Sequence, residues 1–187
     1  MNLTTTFSKL TSVLGDRILS GFSTIPTGSD WLIGLSVLAV YTLVALLIGI
    51  WTGFLKWHFQ ASKLAIIKIT ITSFFAPALL EELFFRAIIL PHPSEDVDSE
   101  KILLWSVLGL FLFIIYHPLN GFTFFPTGKE TFSNLIFLTL AFLLGLACSI
   151  TYLYAGSISI PVVIHWITVV VWLLFFGGIE RLQLDEP

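Results

Sequence analysis

An all-α, multi-pass transmembrane helical bundle of about five spans is the fold class this sequence predicts, and three observations predict it. Of 187 residues, 56% are hydrophobic and only 11% are charged. The mean hydropathy of +0.95 lies far above the balance of a soluble domain. The nine Lys/Arg and twelve Asp/Glu side chains are also clustered, so that residues 31–55, 102–128 and 131–179 contain none. Each of these runs is at least as long as a helix that crosses a bilayer. A net charge of -3 without a basic patch removes the electrostatic footprint that nucleic acids require, and no Gly-rich phosphate loop is present. Nucleic acid is therefore not an expected partner. Cys148 is the single cysteine, which excludes an intrachain disulfide and a cysteine-based metal site. Its place in an apolar run reads as packing.

Residues 1–30 mix charge with Phe7, Leu10, Leu14 and Ile18 at three- and four-residue spacing, the pattern of an interfacial helix lying on the membrane. Asp16 and Arg17 interrupt what would be the apolar region of a cleaved signal peptide, so the segment is expected to stay in the mature protein. The first transmembrane helix, 31–55, is uncharged and long enough to cross a hydrocarbon core of about 30 Å. The second apolar segment, 64–90, carries Lys68 near one end and Glu81, Glu82 and Arg86 well inside. In the third, 102–125, His117 is followed by Pro118, Asn120 and Gly121, which are expected to end or kink the helix. The fourth span is placed at 131–155 and the fifth at 158–178, with Pro161 in its first turn. Residues 179–187 form a short polar tail. Lys56, Lys63 and Lys68 gather between the first two spans, whereas the next loop is acidic, so the basic loop should face the cytoplasm.

Charges placed in mid-membrane each cost roughly 2.5 to 3.5 kcal/mol on insertion scales, so Glu81, Glu82 and Arg86 need a reason to be there. In a helix, Glu82 and Arg86 lie four apart with the acid first, the better orientation for an ion pair. Glu81 is then rotated about 100° away and free. Two adjacent carboxylates in low dielectric cannot both ionise cheaply, and the one beside Arg86 is expected to stay charged. His117 and His165 add acid-base groups to the same membrane core. His58 and His92 are assigned to solvated loops, and Glu95, Asp96, Asp98 and Glu100 to a solvated acidic run. Three reaction classes use Glu, Glu, Arg, His and His inside a membrane: zinc hydrolysis, metal-free hydrolysis by a carboxylate-activated water, and proton-coupled transport. The HExxH spacing of zinc proteases is absent. Residue chemistry alone leaves the three open.

The motifs EELFFR (Glu81, Glu82, Arg86), FIIYH (Phe113 to His117) and HWITV (His165 to Val169) resemble the EExxxR, FxxxH and HxxxN-like motifs of the CPBP family, in order and in membrane context. That family takes in the type II CAAX prenyl endopeptidases and the abortive infection proteins. The resemblance covers residues 64–178 and implies a four-helix catalytic core of a glutamate-type intramembrane endopeptidase. It implies that Glu81 activates water, that His117 helps hold that water, and that Glu82 and Arg86 support the site. His165 would stabilise the oxyanion, and no metal or other cofactor is implied. The implied partners are the lipid bilayer and a membrane-embedded or lipidated peptide substrate. The prenyl-protease pattern has Asn one turn after the histidine, where this chain has Val169. A second oxyanion donor must then come from Thr168, Asn120, a backbone N–H or water, or be absent. The alternative is a non-catalytic or transport-like member, an immunity or assembly factor.

Overall fold

The computed structural model describes residues 3–59 and 62–184, with side chains from residue 6 onward. Residues 1, 2 and 185–187, the outermost parts of the expected amino-terminal segment and polar tail, lie outside the described residues. Six long helices follow one another: α1 Leu3–Ser23, α2 Gly28–Trp51, α3 Lys63–Ile88, α4 Ser99–Thr123, α5 Leu135–Ala155 and α6 Ser159–Phe175. Helices α2 to α5 are long and apolar enough to cross a membrane, and α6 is a shorter apolar helix. Their length and apolar surface make this an integral, multi-pass membrane protein.

Local chemistry sets the helix ends. Thr27 and Asp30 form a reciprocal capping box at the start of α2, the Asp30 carboxylate accepting from the Thr27 N–H at 2.7 Å. Ser62 accepts from the Ala65 N–H at the start of α3. Asn134 caps α5 by accepting from the N–H groups of Ile136 and Phe137, so this helix begins four residues later than the sequence expectation. Helix α6 stops at Phe175, short of the expected 178, because Gly177 takes a left-handed conformation with φ 77°.

Proline acts differently at its two mid-helix positions. Pro118 does not end α4, which continues to Thr123 with one backbone N–H fewer in its ladder. The helix end expected at Pro118 to Gly121 does not occur there. The real interruption lies in α3, where Ala76 adopts an extended φ of -137° and ψ of 115° ahead of Pro77. The indole N–H of Trp166 in α6 donates to the carbonyl of Thr70 just before the break, at 2.8 Å.

Of helices α2 to α5, α5 is the most enclosed, with half of its span buried against about a fifth for the other three. It packs on α2, α4 and α6, while α3 packs on α6 and α4. At the basic end of the bundle, His58 pairs with Phe176 in an isolated bridge, and Arg181 donates to the Phe54 carbonyl at 2.9 Å while lying over the Phe54 ring. At the opposite end, α1 docks on the end of α3. Its Leu14 and Ile18 are half-buried, whereas Phe7 and Leu10 remain exposed.

That docking overturns two of the loop readings. Arg17 grips both Glu95 carboxylate oxygens, at 2.7 and 2.9 Å, and also donates to the terminal α3 carbonyls of Ile88 and Ile89. Glu95 is therefore a clasp residue rather than one of a solvated run. His92 is buried, donating from Nε2 to the Gly156 carbonyl at 2.9 Å and accepting from the Ser94 N–H at Nδ1. His58 is partly exposed and lies 3.2 Å from Glu180.

Candidate active site

Three helices bring the five singled-out side chains together. Glu81, Glu82 and Arg86 come from α3 beyond its break, His117 from α4 and His165 from α6, and all five are buried. The four-residue spacing in α3 places Arg86 Nη1 3.0 Å from Glu82 Oε1, as the sequence predicts. Arg86 Nη2 donates to the Gly145 carbonyl of α5 at 2.7 Å, and the group lies over the Phe113 ring at 4.8 Å. Gly145 permits this approach: a Cβ there would stand 2.8 Å from Leu110 and 2.9 Å from Phe113. Arg86 thus ties α3 to the central helix.

Glu82 Oε1 also accepts from His165 Nδ1, at 2.7 Å. That bond fixes the ring and leaves Nε2 facing Glu81, whose Oε2 is 3.8 Å away. His117 Nδ1–H donates to the Phe113 carbonyl of its own helix at 2.8 Å, so a neutral His117 presents an acceptor at Nε2. Its ring is boxed by Phe113, Phe132 and Phe137.

A cavity of about 660 Å³ runs beside these groups. Glu81, His117 and His165 line it, whereas Glu82 and Arg86 stand behind His165 and outside the lining. The five residues therefore divide into a row facing the cavity and a pair that holds the row from behind. Charge balance fits this division. Two carboxylates and one guanidinium leave one further proton to neutralise the cluster, and Glu81 and His165 are the adjacent groups able to carry it. Among the described residues no group of three His, Cys, Asp or Glu side chains is arranged to hold a metal ion.

Over residues 62–171, more than half of the chain, the sequence matches the family described as type II CAAX prenyl endopeptidase Rce1-like. The chain belongs to this family. Its kind of function is that of a CAAX-type intramembrane protease, a hydrolase working within the bilayer. No curated protein and no solved structure matches the chain.

The Rce1-like match ends short of several cavity residues. Leu38, Tyr41, Thr42, Ala45 and Leu46 of α2 form one wall, although α2 lies before the matched segment. Sequence reasoning assigned this helix no role, and its uniform hydrophobicity gives no sign of which face meets the cavity. Thr168, Val169 and Asn120 all line the cavity. Trp172 lines it too, seven residues after His165 and so on nearly the same helix face; that periodicity was available in the sequence.

Proposed function

We propose that this protein hydrolyses peptide bonds of membrane-embedded or lipidated substrates with a water activated by Glu81. What carries the reading is the placement of Glu81, His117 and His165 on one cavity, with Glu82 and Arg86 holding His165 from behind. A water in this row donates one hydrogen to His117 Nε2 and the other to the Glu81 carboxylate, leaving a lone pair for the scissile carbonyl carbon. As the oxygen–carbon bond forms, Glu81 takes the proton and negative charge moves to the carbonyl oxygen. His165, protonated at Nε2 with Nδ1 held by Glu82, stabilises that oxyanion. The carbon–nitrogen bond then breaks, and Glu81 passes its proton to the leaving amine. Arg86 bonds Glu82 and holds it in place, which makes it a positioning residue.

The test is cleavage of a farnesylated peptide ending in a CAAX sequence by wild type and by Glu81→Gln. The amide keeps the side chain's shape and removes the base, so turnover should fall by a factor of roughly 100 to 10,000 while thermal stability holds. Equal turnover by the two proteins rejects the mechanism. Val169, where the prenyl-protease pattern has Asn, favours a second reading: a non-catalytic or transport-like membrane protein. In that case wild type and variant are alike in lacking turnover.

A further inference from the structure

Among the described residues, two hydrogen-bond donors beside the cavity have no protein partner. The Thr168 hydroxyl and the Trp172 indole N–H are both buried and unbonded, and both side chains line the cavity on α6. The contrast within the same helix is direct, because the Trp166 indole N–H is bonded to the Thr70 carbonyl. Around them α6 is almost wholly Val, Ile, Leu and Phe. An unpaired donor in such surroundings lowers stability, and replacing it by an apolar group of the same shape removes the penalty. Retaining two such donors on one face needs a partner that arrives from outside the fold.

We propose that Thr168 and Trp172 grip the main chain of the substrate, which lies along α6 as an extended strand leading away from His165. The choice of a peptide as occupant rests on the peptidase reading. The geometry points to a strand because Thr168 and Trp172 are four residues apart, a rise of about 6 Å along the helix. Carbonyls on one edge of an extended chain recur every second residue, or about 6.6 Å. Cavity-lining residues of α6 continue from His165 to Trp172 and Leu173, with Phe176 just past its end, so the groove follows the helix toward the basic end of the bundle. From His165 to Phe176 is about 16 Å of helix rise, room for about five extended residues. An isoprenoid or acyl chain of similar length offers no acceptor to either donor. The substrate carbonyls reach the donors by displacing the apolar side chains that now cover them. A helical peptide has its carbonyls occupied, so the grip selects segments already unwound.

The experiment measures binding of a fluorescent, farnesylated CAAX peptide to the full chain in lipid nanodiscs, in a Glu81→Gln background that spares the probe. Thr168→Val and Trp172→Phe delete each donor and keep most of the shape. Each is expected to weaken binding about tenfold, with thermal stability unchanged or raised. Peptides in which each amide carbonyl in turn is reduced to methylene identify the acceptors. For the carbonyl that meets Trp172, the reduced peptide should bind the parent and Trp172→Phe equally. Donor-independent affinity, lost stability in both variants, absence of peptide binding, or competition by farnesyl thioether alone at full strength each overturns the proposal. Turnover is scored separately in wild type. Donor-dependent binding without cleavage rejects the peptidase mechanism and keeps the strand grip; cleavage with donor-independent binding does the reverse.

Discussion

Replacing Arg86 by Met exposes what the buried pair contributes. The guanidinium is 1% exposed and bonds Glu82 at 3.0 Å and the Gly145 carbonyl at 2.7 Å. Methionine fills much of the volume and supplies no charge. Glu82, fully buried, then loses its guanidinium and keeps the bond from His165 Nδ1, and removing one partner of a buried pair costs about 3 to 5 kcal/mol. The Gly145 carbonyl keeps the Ser149 hydroxyl as a donor at 2.8 Å, so the loss of the guanidinium adds little there. About 4 kcal/mol is therefore the expected loss, a large part of the 5 to 15 kcal/mol that typically separates folded from unfolded. Glu82→Gln together with Arg86→Met removes both charges and should regain at least about 2 kcal/mol relative to Arg86→Met alone. Reversible denaturant unfolding in micelles gives both values at neutral pH. A loss below about 1 kcal/mol for Arg86→Met, or a double variant no better than the single one, refutes the argument that Glu82 needs Arg86.

At the opposite end, burial disfavours ionisation of Glu95, but hydrogen bonds from Arg17 and the His92 N–H, together with the Arg17 charge, outweigh it and hold the carboxyl below its ordinary range. Its contribution is therefore complete above the unfolded carboxyl value and disappears as pH falls through the lower folded value; amide exchange of α1 should accelerate there in wild type and lose that pH dependence in Glu95→Gln. Chelators should leave peptide cleavage intact, and activity lost to chelation and restored by zinc would refute the metal-free mechanism. Val169→Asn should raise turnover by adding a donor at a cavity-lining position; because Val169 also packs with Ile69, Leu173 and Leu174, slower cleavage with reduced thermal stability would reject that site as an oxyanion contact. Gly145→Ala should cost about 1 to 3 kcal/mol by driving a methyl against Phe113 and Leu110, measurable in the same unfolding assay.

How much of this was legible in the sequence depends on how local the determinant is. Charge-free runs mark the spans because the bilayer acts on each helix separately. The Glu82–Arg86 pair follows from spacing within one turn. His92 was misassigned because its acceptor, the Gly156 carbonyl, comes from another loop, and Glu95 because its partner is in α1. Proline in α3 and α4 looks alike in sequence, yet α4 runs on through Pro118 while α3 opens at Ala76 ahead of Pro77. The grouping of Glu81, His117 and His165 required three helices to meet, which no single stretch encodes. The three motifs pointed to it only jointly, through their family resemblance.

The α2 wall has an evolutionary consequence. None of its cavity-facing residues is charged, and the whole helix precedes the segment matched to the family. Changing those side chains alters the contour of the chamber without touching an acid, a base or the ion pair behind them. On the proposed peptidase reading, one part of the substrate-facing wall thus lies on a different stretch of polypeptide from the reaction chemistry. If that reading holds, lineages can diverge in what this wall admits while the carboxylates and imidazoles stay fixed, and exchanging α2 between two such proteins should shift preference without altering the mechanism.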